Sequence, residues 1–182
     1  MGSWQSYFRI VRAMDKSAVY VCDANSLIEL ARHFPWQTDK LRQFVSAGFL
    51  KIPEGVFREL KRGTDELAKY VQKWGSKYEM VIWIRDHRLP HEWNRINQSY
   101  GLAFTVGKEI CRGFWGTESG KKGVDAQVVA VGRVYAYTVV SNDIAIVSAC
   151  MLEDVPCIGW TEFARRLGII KNYKQMKLIE EV

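Results

Sequence analysis

The chain has 182 residues, of which 48% are hydrophobic and 25% are charged, and this composition excludes a disordered or fibrous protein. Its length suits a single domain with a full hydrophobic core. The formal net charge of +6 favours polyanionic partners, although many proteins without such partners are equally basic. No apolar run is long enough to span a bilayer, so no membrane partner is expected.

The four cysteines follow neither a metal-binding nor a disulfide pattern. No pair has CxxC spacing, and three of the four lie in apolar stretches. This usage predicts small core side chains in a reducing, cytoplasmic compartment.

Short apolar runs alternate with helical patterns between residues 18 and 170, which we interpret as one domain. Residues 1–17 are predicted to be an N-terminal extension, and residues 171–182 a charged C-terminal tail. The first half of the domain is predicted to contain a strand at 18–22, helices at 25–32 and 39–47, a strand at 49–52, helices at 53–61 and 65–74, and a strand at 81–84.

The second half of the domain begins with a less regular stretch at 86–123, in which 92–104 has helical spacing. It is then predicted to contain a helix at 124–134, a strand at 137–140, a helix at 144–152, a strand at 156–158, and a helix at 161–167 capped by Thr161. This alternation predicts a three-layer α/β/α fold around a central, mainly parallel sheet.

Asp23 directly follows the first predicted strand, at the sheet edge where open α/β folds bind ligands. A carboxylate there is costly to bury unless it is paired, hydrogen-bonded or bound to a cation. It could simply cap the next helix, but Asn25 or Ser26 could do the same and leave Asp23 for chemistry. Asp143 repeats this arrangement after the strand at 137–140.

Two further acids are expected at the same edge. Asp125 stands in the first turn of a helix, where the helix dipole alone would favour an acid. Glu59 lies beside Val56 and Leu60 on the helix after the second strand, and it could equally be a solvated helix acid. Four carboxylates in one cleft repel one another unless divalent cations lie among them, and all-oxygen ligands suit Mg²⁺ or Mn²⁺.

Several segments in this order resemble the motifs of PIN-domain ribonucleases. They are VCDANSLI at 21–28, IPEGVFREL at 52–60, VDAQVVA at 124–130 and TVVSND at 138–143, followed by the closing strand VPCI at 155–158. The resemblance therefore extends over residues 18–168.

The resemblance implies a metal-dependent endoribonuclease that hydrolyses single-stranded RNA to a 5′-phosphate and a 3′-hydroxyl. In this family the acids that match Asp23, Glu59, Asp125 and Asp143 form the catalytic site and bind Mg²⁺ or Mn²⁺. The resemblance further implies supporting roles for Asn25 and Ser141.

Stand-alone PIN proteins include the toxins of toxin–antitoxin pairs, so the resemblance also implies an antitoxin or a second copy of the chain as a partner. The stretch at 86–123 and the extension at 1–17 are longer than in the smallest toxins. This difference bears on the toxin role more than on the chemistry. The alternative is an inactive PIN scaffold that binds RNA or a protein partner.

A glycine-rich loop at 113–123 ends just before Asp125 and lacks the GxxxxGK[ST] order of a P-loop. Lys121 and Lys122 can neutralise phosphates, and Trp115 offers a face on which an unpaired base can stack. These features predict RNA binding by the loop. The alternative is an ordinary loop whose aromatic side chains pack into the core.

Other site classes fit the sequence less well. A haloacid-dehalogenase-like phosphatase needs a second Asp two residues after the first, where this chain has Asn25. No glycine-rich turn between a strand and a helix indicates a dinucleotide site. His87 and His91 are separated by Pro90 and lack a third ligand nearby, so we interpret them as loop residues or RNA contacts.

Overall fold

A computed structural model describes residues 18–85, 88–102, 104–106, 108–115 and 123–170. The strands within these residues are β1 (Tyr20–Cys22), β2 (Leu50–Pro53), β3 (Val81–Ile82), β4 (Phe104–Val106), β5 (Glu109–Cys111), β6 (Thr138–Val140) and β7 (Cys157–Ile158). The helices are α1 (Ala24–His33), α2 (Thr38–Ser46), α3 (Glu54–Leu60), α4 (Glu66–Lys77), α5 (Arg88–Gly101), α6 (Val124–Tyr135), α7 (Ile144–Leu152) and α8 (Trp160–Arg166). A 3₁₀ turn, Pro35–Gln37, connects α1 to α2.

The main sheet has the strand order β3-β2-β1-β6-β7, and all of its neighbouring strands are parallel. Central strand β1 pairs with β2 on one side and with β6 on the other, where Cys22 lies opposite Val140. Helix α6 packs across β1, β2 and β6, and α5 packs on α6. The predicted three-layer α/β/α fold with a mainly parallel sheet is therefore confirmed.

Helix α6 explains how the core is closed on one side of the sheet. Its residues from Ala126 to Gly132 are all buried, because α6 lies between the sheet and α5. A helix that is apolar on every side is stable in water only when it is enclosed in this way. None of the described helices has both the length and the apolar character needed to cross a bilayer.

Two predictions for individual elements were wrong. Phe104 was expected in a helix, but α5 ends at Gly101 and Phe104 begins β4, which pairs with β5 in an antiparallel hairpin. The helix ends there because Gly101 is a poor helix former and the residues of β4 are β-formers. Thr161 does not cap α8; the helix begins one residue earlier, at Trp160. The Trp160 N–H instead donates to Asn142 Oδ1, 2.8 Å away, from the loop after β6.

A partly buried ionic cluster joins α5, α6 and the turn after α7. Glu153 accepts hydrogen bonds from Arg95 (2.5 Å), Arg133 (2.6 Å) and the Tyr100 hydroxyl (2.6 Å). Glu92 binds the same two arginines, at 2.8 Å and 2.9 Å. Burial opposes the charge of Glu153, but the hydrogen bonds from Arg95 and Tyr100 outweigh it and hold the Glu153 pKa below its usual value. Burial and the bond to Glu153 raise the pKa of Tyr100 to about 12.

We predict that Glu153→Gln lowers the free energy of unfolding at pH 7 by about 1–3 kcal/mol, because it removes the more buried of the two carboxylates that Arg95 and Arg133 share. The folded-state pKa of Glu153 is lowered, so its contribution is present above the pKa of an unfolded glutamate and is lost as the pH falls through the folded value.

Urea titrations from neutral to acidic pH measure this effect. The difference between wild type and Glu153→Gln should be largest above about pH 5 and shrink below it. Glu66→Gln, at an exposed pair with Lys69, is the matched control and should change stability little at any pH. If the difference in unfolding free energy between wild type and Glu153→Gln stayed constant down to acidic pH, the proposed role of the Glu153 charge would be contradicted.

Candidate functional site

Asp23 lies at the carboxyl end of the central strand, with only 4% of its surface exposed. Its Oδ1 accepts the N–H of Ser26 at 2.6 Å, and its Oδ2 accepts the hydroxyl of Ser141. Asp23 is therefore the N-cap of α1, a role that the sequence had equally allowed for Asn25 or Ser26. Asn25 is exposed in the first turn, and Ser26 Oγ donates to Val140 O at 3.1 Å. The expectation that Asp23 is not needed as a cap was wrong.

Asp143 is joined to Asp23 through Ser141. The fully buried Ser141 hydroxyl, which donates to Asp23, also accepts the backbone N–H of Asp143 at 3.0 Å. The Asp143 carboxylate caps α7, because its Oδ1 accepts the N–H groups of Ala145 (2.8 Å) and Ile146 (3.2 Å). This connection between the two acids depends on the parallel pairing of β1 with β6, which sets their ends side by side.

Helices α3 and α6 bring Glu59 and Asp125 to the same edge of the sheet. Helix α3 follows β2 and therefore begins at the carboxyl edge. Helix α6 runs back toward the start of β6, so the first turn of α6 also lies at the carboxyl edge. The helices meet where Gly55 N donates to the side-chain oxygen of the buried Gln127 at 2.9 Å. Glu59 and Asp125 are both half-buried.

Gly55 makes this approach of the two helices possible. A Cβ at position 55 would lie 2.6 Å from Gln127 Oε1 and 3.0 Å from a methyl carbon of Val124. Gln127 was not among the predicted functional residues. The available signal was its position as a polar side chain inside an otherwise apolar helix.

The four predicted acids stand on elements that end or begin at one edge of the sheet, but they do not form a closed cluster. Among the described residues, no three His, Cys, Asp or Glu side chains are grouped so that they could hold a metal ion. Ser141 connects the two strand-end residues, because its hydroxyl donates to the Asp23 carboxylate and accepts the backbone N–H of Asp143.

The donor set nevertheless fits a hard divalent cation. The Asp23 carboxylate and the Ser141 hydroxyl are in contact at this edge, the Asp143 carboxylate follows the neighbouring strand, and oxygen ligands suit Mg²⁺ or Mn²⁺. Cys22 is adjacent in sequence, but burial, with a smaller contribution from the Asp23 charge, raises the pKa of its thiol well above the usual value. It therefore offers no thiolate, which is the form of cysteine that binds metals.

The predicted RNA-binding residues are described only in part. Trp115 is half-buried, its Nε1–H donates to Asn97 Oδ1 at 3.2 Å, and its ring meets Tyr100 edge-on at 6.2 Å. Phe114 stacks on Tyr100 at 5.5 Å but remains 43% exposed. The contacts of Trp115 match the alternative in which this aromatic side chain packs into the domain.

Other predictions fall on residues that are not described or that lie away from the edge. Lys121, Lys122, His87 and the two terminal segments lie outside the described residues. His91 is exposed in the first turn of α5. The described cysteine side chains, Cys22, Cys150 and Cys157, are free thiols, and the first two are buried.

We predict that Asp23→Ala lowers the free energy of unfolding by about 1–3 kcal/mol, because α1 loses its cap and the buried Ser141 hydroxyl loses its acceptor. Asp23→Asn should cost less, since its side-chain oxygen can still accept the Ser26 N–H. Denaturant unfolding of the two variants beside wild type tests this order. Equal stability of Asp23→Ala and Asp23→Asn would show that the cap contributes nothing measurable.

Gly55→Ala is predicted to destabilise the domain by about 1–3 kcal/mol, because the new methyl group displaces the buried Gln127 side chain. Gly63→Ala is the comparison variant, since its Cβ would lie 3.3 Å from Leu60 O, a tight contact but a looser one than that at position 55. Thermal and urea unfolding give the comparison. If Gly55→Ala were as stable as wild type, the close contact of α3 with α6 would not matter for the fold.

Comparisons with known proteins place the chain in one family. The sequence profile of the family described as "Domain of unknown function (DUF4411)" matches residues 20–170. Among solved structures, the chain is similar to the crystal structure of PAE2754 from Pyrobaculum aerophilum, with 17% identity, a TM-score of 0.46, and coverage of 84% of this chain and 98% of that one. Among curated proteins, none matches the chain. The family match begins with β1 and extends beyond the end of α8.

Proposed function

The chain belongs to the family described as Domain of unknown function (DUF4411), and because that description names no activity, we propose one from the site itself. The proposed function is a metal-dependent endoribonuclease of the PIN type that hydrolyses phosphodiester bonds in single-stranded RNA. It is proposed to act in the cytoplasm, with Mg²⁺ or Mn²⁺ as the cofactor.

The buried carboxylate of Asp23 is the observation that carries this proposal. Asp143 and Asp23 both cap helices, but the Asp143 side chain is exposed, whereas Asp23 is buried and only 4% exposed. Burying a charge costs more than a helix cap contributes, so capping alone does not account for an acid at this depth. A cation bound at the carboxyl edge would offset that cost.

Each acid has a proposed role that follows from how it is held. Asp23, fixed by Ser26 and Ser141, and Asp143, fixed at the start of α7, would bind the ion. Asp125 would complete the site, and Glu59 would bind the ion or orient the attacking water. A bound Mg²⁺ or Mn²⁺ supplies Lewis-acid polarisation of the scissile phosphate.

Asn25 is exposed in the first turn of α1, next to the capping Asp23. Its side-chain amide is free to turn toward solvent from this position, where it could donate to a phosphate oxygen of the bound strand. We assign Asn25 this supporting role. Ser141 has the complementary role of positioning both strand-end acids.

A second candidate function is an inactive PIN scaffold that binds a protein partner. It is favoured by helix α7, which exposes Ile144 (83%), Met151 (75%) and Leu152 (63%). An apolar helix face of this kind is typical of an interaction surface. In the nuclease proposal the same face would be covered by an antitoxin or by a second copy of the chain.

We predict that the purified protein cleaves unstructured RNA oligonucleotides with Mg²⁺ or Mn²⁺ and stops when the metal is chelated. Asp23→Asn and Asp143→Asn should each lower the cleavage rate by about 100-fold or more, as is usual for the loss of one electrostatic group that stabilises a transition state.

Gel analysis of end-labelled RNA measures the rates. Asp154→Asn is the matched control, because it makes the same change at an exposed position in the turn between α7 and β7, at the other edge of the sheet. Its φ of 52° is well tolerated by Asn. Wild-type rates in Asp23→Asn would remove the proposed site, and the absence of metal-dependent cleavage across varied RNAs would favour the inactive scaffold.

A further inference from the structure

Two neighbouring cavities open at the amino edge of the sheet, opposite the acids. Helix α4 ends at Lys77 and β3 begins at Val81, so the residues between them lie where the strands start. The first cavity, of about 410 Å³, lies between the 3₁₀ turn, the start of α2 and the end of α4. The second, of about 750 Å³, runs along β3 to Trp83 and Arg85, beyond the carboxyl end of that strand, and shares Tyr78 with the first. We name the first cavity the amino-edge groove.

Exposed aromatic side chains line this groove. Trp36 is 74% exposed in the 3₁₀ turn, and Tyr70 is 36% exposed on α4. Tyr70 stacks on the buried Trp74 at 5.6 Å with an angle of 21° between the rings. One face of the Tyr70 ring is therefore supported from behind while the side chain remains accessible, as in a stacking platform for a nucleic-acid base.

Positive charge accompanies the aromatic rings. Tyr70, Lys73 and Lys77 follow one another at helical spacing on α4, so they share one face. Lys77 Nζ lies 5.4 Å from the centre of the Tyr78 ring.

The groove as a whole has a cationic surplus. Its cationic side chains are those of Arg42, Lys73 and Lys77, and its acid is Asp39. Asp39 already pairs with Arg42 at 3.1 Å. The remaining surplus favours a polyanion, and the accessible rings favour one that carries unpaired bases rather than an acidic peptide.

We propose that the amino-edge groove is a second binding surface, specific for single-stranded RNA, with bases stacked on Trp36 and Tyr70 and phosphates bound by Lys73 and Lys77. The identification of this RNA as the substrate rests on the proposed nuclease function. In that case the groove holds one part of the strand, and the rest of the strand reaches the acids. A strand of three residues spans only about 10 Å, so a few nucleotides connect the two edges. With a divalent ion at the acids, binding should therefore tighten with RNA length until both edges are covered.

Fluorescence anisotropy with a labelled, unstructured oligoribonucleotide in EDTA tests the groove without metal and without cleavage. Trp36→Ala and Tyr70→Ala should each weaken binding by about ten-fold, as is typical for the loss of one stacking ring. Lys73→Gln and Lys77→Gln should each lower the slope of log affinity against log salt by about 0.7. Because all four side chains are exposed at the surface, the variants should fold, and circular dichroism checks this.

The matched control is Lys69→Gln, which removes the same charge from the same helix at a position outside the groove lining. It should leave the salt slope close to wild type. If Lys69→Gln lowered the slope as much as Lys73→Gln, net charge rather than the groove would explain binding. Unchanged affinity in Trp36→Ala and Tyr70→Ala would also overturn the proposal and leave the groove to a protein partner.

The experiment separates this inference from the proposed nuclease function. Groove-dependent RNA binding in a protein that never cleaves RNA would support the groove and contradict the nuclease. Metal-dependent cleavage with groove variants that bind and cleave like wild type would contradict the groove alone.

Discussion

The hydrogen bonds of the buried Asp23 carboxylate are the constraint on which the rest of the carboxyl edge depends. Asp23 accepts the Ser26 N–H, which starts α1, and the Ser141 hydroxyl, which in turn holds the backbone of Asp143. One carboxylate therefore fixes the ends of two neighbouring strands and the start of a helix. Such a group cannot move without disturbing the core, which makes its position rigid enough for a metal ligand. The same bonds give Asp23 a stabilising role that is independent of any metal.

The sequence is enough to predict the sheet and the location of the acids. Apolar runs that end in Asp23 and in Ser141-Asn142-Asp143 indicate parallel strands, and parallel strands necessarily bring their ends to one edge. What the sequence cannot decide is which of several polar residues makes a given bond. Asp23, Asn25 and Ser26 are all competent caps, and only the packing of β1 against β6 buries Asp23 and leaves Asn25 exposed.

Contacts between distant segments are the part that local patterns miss. The bond from Gly55 to Gln127 joins residues 72 positions apart, and Asn142 supplies the first hydrogen bond of a helix 18 positions away. The amino-edge groove is of the same kind, since Trp36 and Tyr70 line one cavity because α2 packs on α4. In the sequence each of these aromatic residues is an ordinary apolar position. Their exposure, and not their identity, marks them as candidates for binding.

In the proposed function, the acids of the carboxyl edge and the lysines of the amino-edge groove would act in sequence, because their charges are opposite. Without a cation, Asp23 and Asp143 would repel a polyanion, whereas the cationic surplus of the groove would attract one under the same conditions. A nucleic acid would therefore meet the groove first, whether or not metal is present. The carboxyl edge would attract phosphate only once a divalent ion neutralised Asp23 and Asp143, so metal occupancy would control cleavage without controlling capture. Salt screens the exposed lysines of the groove strongly and the buried Asp23 much less. Raised salt would therefore weaken the capture of RNA more than its cleavage.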